Sequence, residues 1–203
     1  MAKATRSADQ ADSLHEQVLN NKLSITAPDD INDAELFLLH KLYKHLFLPE
    51  LTVSKLQFSD IRNWHQWWFS TLYTWAGELR DVQMSKGGFP FATPQAFTKE
   101  IPRFETQYLN AFPLLPSLPE DEFIQLLARC HVDFVLLHPF RDGNGRIARL
   151  LLDVMAVKAG YTPLDYTLWN DNKVFYFKSI QAGVAGESQH LERLIRDALP
   201  QRQ

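Results

Sequence analysis

The run His138-Pro139-Phe140-Arg141-Asp142-Gly143-Asn144-Gly145-Arg146-Ile147-Ala148-Arg149 holds a titratable base, a carboxylate, a two-glycine turn and two arginines a helical turn apart. Together these groups can hold a nucleotide's phosphates beside a metal and deprotonate an attacking hydroxyl. Gly143-Asn144-Gly145 can turn sharply and aim successive backbone N–H groups into one concavity at the start of a helix, which makes an anion site. Glycine suits it because a side chain would block the phosphate or forbid the backbone angles. Arg146 and Arg149 project from the first turn of that helix, and a planar guanidinium fork fits phosphate oxygens better than lysine does. Asp142 is a hard oxygen ligand suited to Mg2+ bridging two phosphates. The Asn144 side chain can donate a neutral hydrogen bond to a phosphate.

His138 is the one residue of the run that trades protons near neutral pH. As a general base it could take the proton of a hydroxyl that then attacks phosphorus in line, a contribution of roughly 10²–10⁴-fold. Each residue also has a plainer reading. A histidine at a helix end is commonly a surface or capping residue, Gly-Asn-Gly is commonly a turn, and an arginine pair is commonly a solvated face. Here the helix bearing both arginines is otherwise apolar, so they need anionic partners. Protein carboxylates could fill that role as well as phosphates.

Two helices must present this run. Upstream, Phe123, Leu126, Leu127, Cys130, Phe134 and Leu137 keep the helical rhythm. Downstream, Ile147 to Val157 is apolar almost all round, the pattern of a central buried helix, with Arg146, Arg149 and Asp153 as exceptions on one face. Gly160 ends it. Before these, residues 1–20 are polar and Ser24 to Asp30 reads as linker. Asn32 with Glu35 resembles a capping box opening a helix that carries Leu36, Leu39, Tyr43, Leu46 and Phe47 and stops at Pro49. Ser59 can cap a second helix with Ile61, Trp64, Trp68 and Leu72 on one stripe, closed by Gly77. Residues 80–92 read as a short hairpin turned on Gly87-Gly88, with Pro90 on an edge strand. A helix over 95–111, a proline-rich surface connection from Pro113 to Pro119, and helices near 170–182 and 187–198 complete the chain.

At 203 residues, with 45% hydrophobic and 22% charged residues, the composition is that of one ordinary globular domain. A net charge of −3 and no basic run give no footprint for direct nucleic-acid binding. A single cysteine, Cys130, forms no internal disulfide and fits a reducing compartment. No apolar run spans a membrane or serves as a secretory signal, so a cytoplasmic protein is expected. Trp64, Trp67, Trp68 and Trp75 read as packing residues. His131 has no third metal ligand in view and reads as a core histidine, and Cys130 as a small hydrophobe. Glu120-Asp121-Glu122 reads as an acidic first helical turn.

The whole run resembles the motif of the Fic family (filamentation induced by cAMP), His-x-Phe-x-Asp/Glu-Gly-Asn-Gly-Arg-x-x-Arg. His138, Phe140, Asp142, Gly143, Asn144, Gly145, Arg146 and Arg149 fill every defined position. Tyr73-Thr-Trp75-Ala-Gly77-Glu-Leu-Arg80 and Ser85-Lys86-Gly87-Gly88-Phe89-Pro-Phe91 resemble the family's pre-flap and flap segments. The resemblance covers residues 35–160. It implies an all-α fold, a helical bundle around a central buried helix with one small β-hairpin flap, in a single domain with a polar extension at 1–30 and C-terminal helices over 161–203.

The resemblance also implies transfer of AMP from ATP to a Ser, Thr or Tyr hydroxyl of a target protein, releasing pyrophosphate. His138 would be the base and Asp142 the Mg2+ ligand. Gly143, Asn144, Gly145 and Arg146 would bind the α- and β-phosphates and Arg149 the γ-phosphate. Phe140 would pin the loop. Ser85, Lys86, Gly87, Gly88 and Phe89 would dock the target segment by adding a strand to it. The Doc branch carries lysine where this chain has Gly145 and phosphorylates its target, so Gly145 favours nucleotidyl transfer. The alternatives are transfer of UMP or phosphate, or a non-catalytic module. Many members are silenced by Ser/Thr-x-x-x-Glu-Gly/Asn, whose glutamate pairs with the second motif arginine. Thr74 to Glu78 is followed by Leu79 and Ser188 to Glu192 by Arg193, and neither fits. The expectation is a toxin whose inhibitory glutamate comes from a small antitoxin or does not exist, with a type II topoisomerase as a target by analogy.

Overall fold

The structure is a computed structural model and describes residues 18–48, 51, 53–200 and 202. Pro28 sits at the start of helix α1 (Pro28–Phe47), where its missing N–H and fixed φ suit the first turn. Asp29 and Asp30 in that turn and Lys44 and His45 in the last complement the helix dipole. The helix therefore opens a turn before the Asn32–Glu35 box, which lies inside it. Glu35 is buried, whereas Leu36, expected in the core, is 65% exposed. Pro49 lies outside the described residues. The expected linker is also tied down. Asn21 bonds the backbone of Leu19, Leu23 and Ile25, and Lys22 donates to the carbonyls of Leu72 and Ser70.

Helix α2 (Phe58–Phe69) starts at Gln57 and not at Ser59, because Asp60 reaches back to the Gln57 N–H at 2.8 Å. Its stripe of Ile61, Trp64 and Trp68, continued by Leu72, is buried as expected. Trp67 is 41% exposed and stacks on His45. The helix ends at Phe69, eight residues before Gly77. The hairpin follows, with β1 (Ser85–Lys86) antiparallel to β2 (Phe89–Pro90) around Gly87 and Gly88, both at positive φ. This matches the two-residue hairpin geometry read from the glycine pair.

A 3₁₀ turn (Pro94–Ala96) leads into α3 (Phe97–Gln107). The proline-rich stretch from Pro113 to Pro119 lies at the surface as expected, exposed apart from Leu115 and half-buried Leu118, but most of it is ordered. It belongs to a 3₁₀ helix (Leu109–Ser117) that buries Leu109, Phe112 and Leu115. Apolar residues every third position match the three-residue turn, and Pro113 and Pro116 lack the N–H that an α-helix needs.

Helices α4 (Glu120–Leu137) and α5 (Asn144–Lys158) form the centre. Glu120, Asp121 and Glu122 occupy the first turn of α4. In α5, Ile147, Leu150, Leu151, Val154 and Met155 are 1% exposed or less. Around them pack α6 (Thr167–Asp171), α7 (Lys173–Val184) and α8 (Gln189–Ala198). One cluster of buried apolar side chains runs from Ile31 to Ala198. The fold is all-α with one small hairpin, as the resemblance implied. No helix among the described residues is long and apolar enough to cross a membrane.

Candidate active site

His138 terminates α4 in the left-handed region, with φ 46°. A non-glycine residue rarely sits there, and such strain clusters at functional positions. Its Nδ1 lies 3.3 Å from the Val135 carbonyl, which can only accept, so that bond puts the proton on Nδ1 and leaves the Nε2 lone pair free. The ring stacks on Phe91 of the flap at 3.7 Å. Burial, then the charges of Arg80 and Lys86, push the imidazole down to about 3 against the opposing pull of the Val135 carbonyl. His138 is therefore neutral at pH 7, the form a proton acceptor needs.

Gly143 caps α5 at φ 77°, and a Cβ there would meet Trp68 at 2.8 Å and Phe69 at 2.9 Å. Both backbone angle and close approach require glycine. Gly145 is different, because a Cβ there meets nothing within 4 Å and the residue lines the cleft. The Asp142 Oδ1 accepts the Gly143 N–H at 2.7 Å, and its Oδ2 lies 3.6 Å from Arg146.

Asn144 corrects an expectation. Its side chain is buried and bonded both ways to Phe140, whose N–H it accepts at 2.9 Å and to whose carbonyl it donates at 2.7 Å. It staples the loop, so what it offers an anion is its backbone N–H and not its amide. Phe140 is fully buried and stacked on His65 at 4.0 Å, so it does pin the loop.

The arginines differ in their partners. Arg146 meets Glu35 at 2.6 Å and lies over the Trp68 ring. Arg149 has a neutral partner, Asn170 Oδ1 at 2.9 Å, and is boxed by Tyr166, Trp169 and Tyr176 at 5.0 to 5.8 Å. Among the described residues no carboxylate pairs with it. Asp153, on the same helix, is sequestered by Tyr43, Tyr166 and the Leu164 N–H. Burial raises its carboxyl to about 6.

The flap and the turn that opens α5 (Asp142 to Gly145, the nest) face each other across a cleft of about 720 Å³, in the size range of ligand sites. Ser85, Lys86, Gly87 and Phe89 line it opposite Asp142 to Arg146, Arg149 and the α7 residues Tyr176 and Phe177. Lys86 reaches over the Phe177 ring at 4.9 Å. The expected site residues thus share one cleft, apart from buried Phe140 and from Gly88, which is exposed at the hairpin turn.

Residue spacing missed three contributors. Glu35 accepts from Arg146 and from the Tyr73 hydroxyl at 2.5 Å. His65 accepts the Gly77 N–H on Nδ1 at 2.8 Å, which puts its proton on Nε2, 3.1 Å from the Asp142 carbonyl. Arg80 is 5% exposed and bonds only backbone carbonyls. All three lie far from the motif in sequence, and only the fold brings them to it. His131 and Cys130 are core residues as read. His131 bonds the Tyr176 hydroxyl at 2.7 Å, and burial pushes the Cys130 thiol up.

A family model described as Fic/DOC family matches residues 55–156. The chain belongs to the Fic/DOC family. It is 28% identical over 138 residues to a probable protein adenylyltransferase Fic of Escherichia coli K12, covering 66% of this chain and 65% of that protein. It is 32% identical over 121 residues to the protein adenylyltransferase Fic of Culex quinquefasciatus, covering 60% of this chain and 23% of that one. The chain thus spans less than two thirds of the length of these relatives. Among solved structures, BepC of Bartonella tribocorum with bound AMPPNP superposes with a TM-score of 0.77 at 24% identity, covering 92% and 94% of the two chains. The Fic domain of Bep8 from Bartonella sp. 1-1C gives 0.78 at 19%, covering 90% and 91%. These likenesses establish the fold.

Proposed function

We propose that this Fic-family chain transfers AMP from ATP to a Ser, Thr or Tyr hydroxyl of a target protein. The carrying observation is Arg149, an arginine on a buried helix, walled by three rings, facing the cleft with a neutral amide as its polar partner. A phosphate supplies the anion this guanidinium lacks. Among the described residues, the carboxylates best placed to serve instead are engaged elsewhere, Glu35 on Arg146 and Asp153 on the two tyrosines.

In this reading the triphosphate lies along the N–H groups at the start of α5, with Arg146 on the inner phosphates and Arg149 on the outermost. The open space before Gly145 admits them. The free Nε2 of His138 accepts the proton of the target hydroxyl as its oxygen attacks the α-phosphorus. The bond to the pyrophosphate oxygen breaks, and the arginines and N–H groups hold the negative charge that leaves. Asp142 is the residue that would hold Mg2+. The described residues contain no cluster of three metal-ligating side chains, and one carboxylate suits an ion that takes its other ligands from phosphate and water. Such an ion neutralises phosphate charge.

The restraint we favour is a glutamate supplied in trans by a small antitoxin. Ser188 bonds Glu192 at 2.5 Å away from the cleft, and neither Glu78 nor Glu192 lines it. The test uses purified protein with α-labelled and γ-labelled ATP and a cell lysate, beside His138→Ala. Protein label from α-ATP that drops by roughly 10²-fold or more in the variant is expected. Label from γ-ATP alone, or transfer indifferent to His138, overturns the reading.

A further inference from the structure

Arg80 has a bonding pattern that packing alone does not explain. Its guanidinium donates from Nε to the His138 carbonyl at 2.5 Å, from Nη1 to Val82 at 2.5 Å, and from Nη2 to Ala92 at 2.5 Å and Leu137 at 3.4 Å. Its own N–H donates to Pro139 at 2.9 Å. No carboxylate among the described residues pairs with it, and desolvation pulls its pKa down to about 10. A buried cation solvated by carbonyl dipoles and one ring face, with no carboxylate, is costly, and a neutral apolar residue would fill the same space more cheaply.

The carbonyls it gathers belong to two sets. Val82 and Ala92 are the two feet of the flap. Leu137 and His138 are the strained end of α4 that carries the base. One planar group with fixed donor directions thus sets the spacing between the hairpin and the His138 backbone. One backbone bond runs parallel to this link, Ala92 N–H to Leu136 at 2.9 Å, while Phe91 N–H to Met84 at 3.1 Å closes the hairpin on itself. The phosphate nest is held by other contacts, namely Asn144 on Phe140, His65 on Asp142 and Gly143 against Trp68.

We propose that Arg80 is a positioning residue for the acceptor, clamping the two feet of the flap to the backbone of the base so that a docked hydroxyl meets His138. The proposal rests on the AMP-transfer reading for its consequence in turnover, and on geometry alone for the clamp. It separates Arg80 from the nest, so target turnover and nucleotide affinity respond differently to its loss.

The test compares wild type, Arg80→Lys and Arg80→Gln. Lysine keeps the charge but cannot donate in three fixed directions. Three quantities are measured on the full chain: amide exchange of residues 82–92 without ligand, ATP affinity by titration, and kcat and KM for target labelling. The expected result is at least tenfold faster exchange at Phe91 and Ala92, kcat/KM for the target lower by roughly 10- to 100-fold in both variants, and ATP affinity within about twofold. Unchanged flap exchange overturns the clamp, and so does ATP affinity that falls as far as target turnover. If neither variant folds, Phe97→Leu decides. The Phe97 ring lies 5.0 Å from the guanidinium carbon, so this change loosens Arg80 while keeping its charge. The same split, smaller, is expected, and a wild-type pattern of exchange overturns the proposal. Should wild type transfer no AMP, the functional reading fails while the exchange experiment still decides the clamp.

Discussion

The two walls of the cleft are built by opposite means. The nest stands on α5, whose apolar residues are nearly all buried, and most of its positions are fixed by a named neighbour, Gly143 by Trp68 and Phe69, Asn144 by Phe140, Asp142 by His65. The flap is two strands of two residues with exposed glycines at its tip, joined to the rest through Arg80, the Ala92–Leu136 backbone bond and the ring contacts of Phe91 and Lys86. A rigid wall suits a ligand of constant shape, such as a triphosphate. A thin, accessible strand suits an acceptor segment that must add to an edge and leave again. Substitutions in the nest should therefore register in stability and nucleotide binding, and those in the flap in target turnover.

Gly143→Ala is the hardest test of the first half. The new methyl meets ring carbons at 2.8 and 2.9 Å on a left-handed backbone. We expect a loss of about 3 kcal/mol, from overpacking and backbone strain together. For a chain of this size that lowers Tm by roughly 10 °C in a melt. A fall of only a degree or two would mean the nest is as compliant as the flap.

Acid acts on the core and on the wall that carries the motif, through buried histidines. Burial holds His65, beneath the nest, at about 4, and His131 and His138 at about 3. Each stays neutral in the fold while its unfolded counterpart takes a proton below about 6.5. Stability is full above that pH and falls as the pH drops through 6.5 toward the folded values. Asp153 works the other way between its unfolded value of 3.8 and about 6, because the folded state holds its proton more tightly. Three groups against one leave a net loss, on the order of 1.4 kcal/mol per pH unit for each net proton. Melts at pH 7 and pH 5 should show the lower Tm at pH 5. Over pH 6 to 8, kcat/KM should show no acid limb from His138, since the base is already neutral there. A limb at 6.5 would mean its ring is solvated like a free histidine.

Gly145 sits on the rigid wall but faces open space, with nothing within 4 Å of where a Cβ would stand. Gly145→Ala should raise stability by about 0.5–1 kcal/mol, the helix preference of alanine over glycine, while weakening ATP binding because the methyl enters the cleft. Paired with Gly143→Ala it separates a glycine required by the protein from one required by its ligand. Equal loss of stability in both would erase that distinction.

The contrast also marks what could be read from residue order. The nest was legible because its chemistry is contiguous, with base, carboxylate, turn and arginines in one run, and the apolar periodicity of α4 and α5 placed it between two helices. The hairpin was legible from one glycine pair. What escaped was everything that reaches the motif through space. Glu35 looked like the end of a capping box because local spacing carries no trace of Arg146, more than a hundred residues on. His65 lay unnoticed among tryptophans, and Arg80 was a family letter without a task. The 3₁₀ helix at 109–117 was divided between the end of a helix over 95–111 and a surface connection from Pro113, because prolines signal turns, although Leu109, Phe112 and Leu115 already carried its period of three. The side chain of Asn144 was aimed at a phosphate because nothing in the run says that Phe140's N–H and carbonyl need a partner.

The smallest expected effect is on the flap itself. Gly87 has φ 54° and nothing within 4 Å of where a Cβ would stand. Asparagine tolerates that region better than other side-chain residues, and Asn-Gly is a favoured pair in such turns. Gly87→Asn should change stability by less than about 0.5 kcal/mol, with ATP affinity unaltered. If the flap docks an acceptor strand, the added amide beside the strand edge should raise KM for the target by a few-fold and leave kcat nearly unchanged, because the clamp at Val82 and Ala92 is intact. A fall in kcat with constant KM would place the tip of the hairpin in the chemical step, and the division between a wall that binds the nucleotide and a wall that receives the target would have to be redrawn.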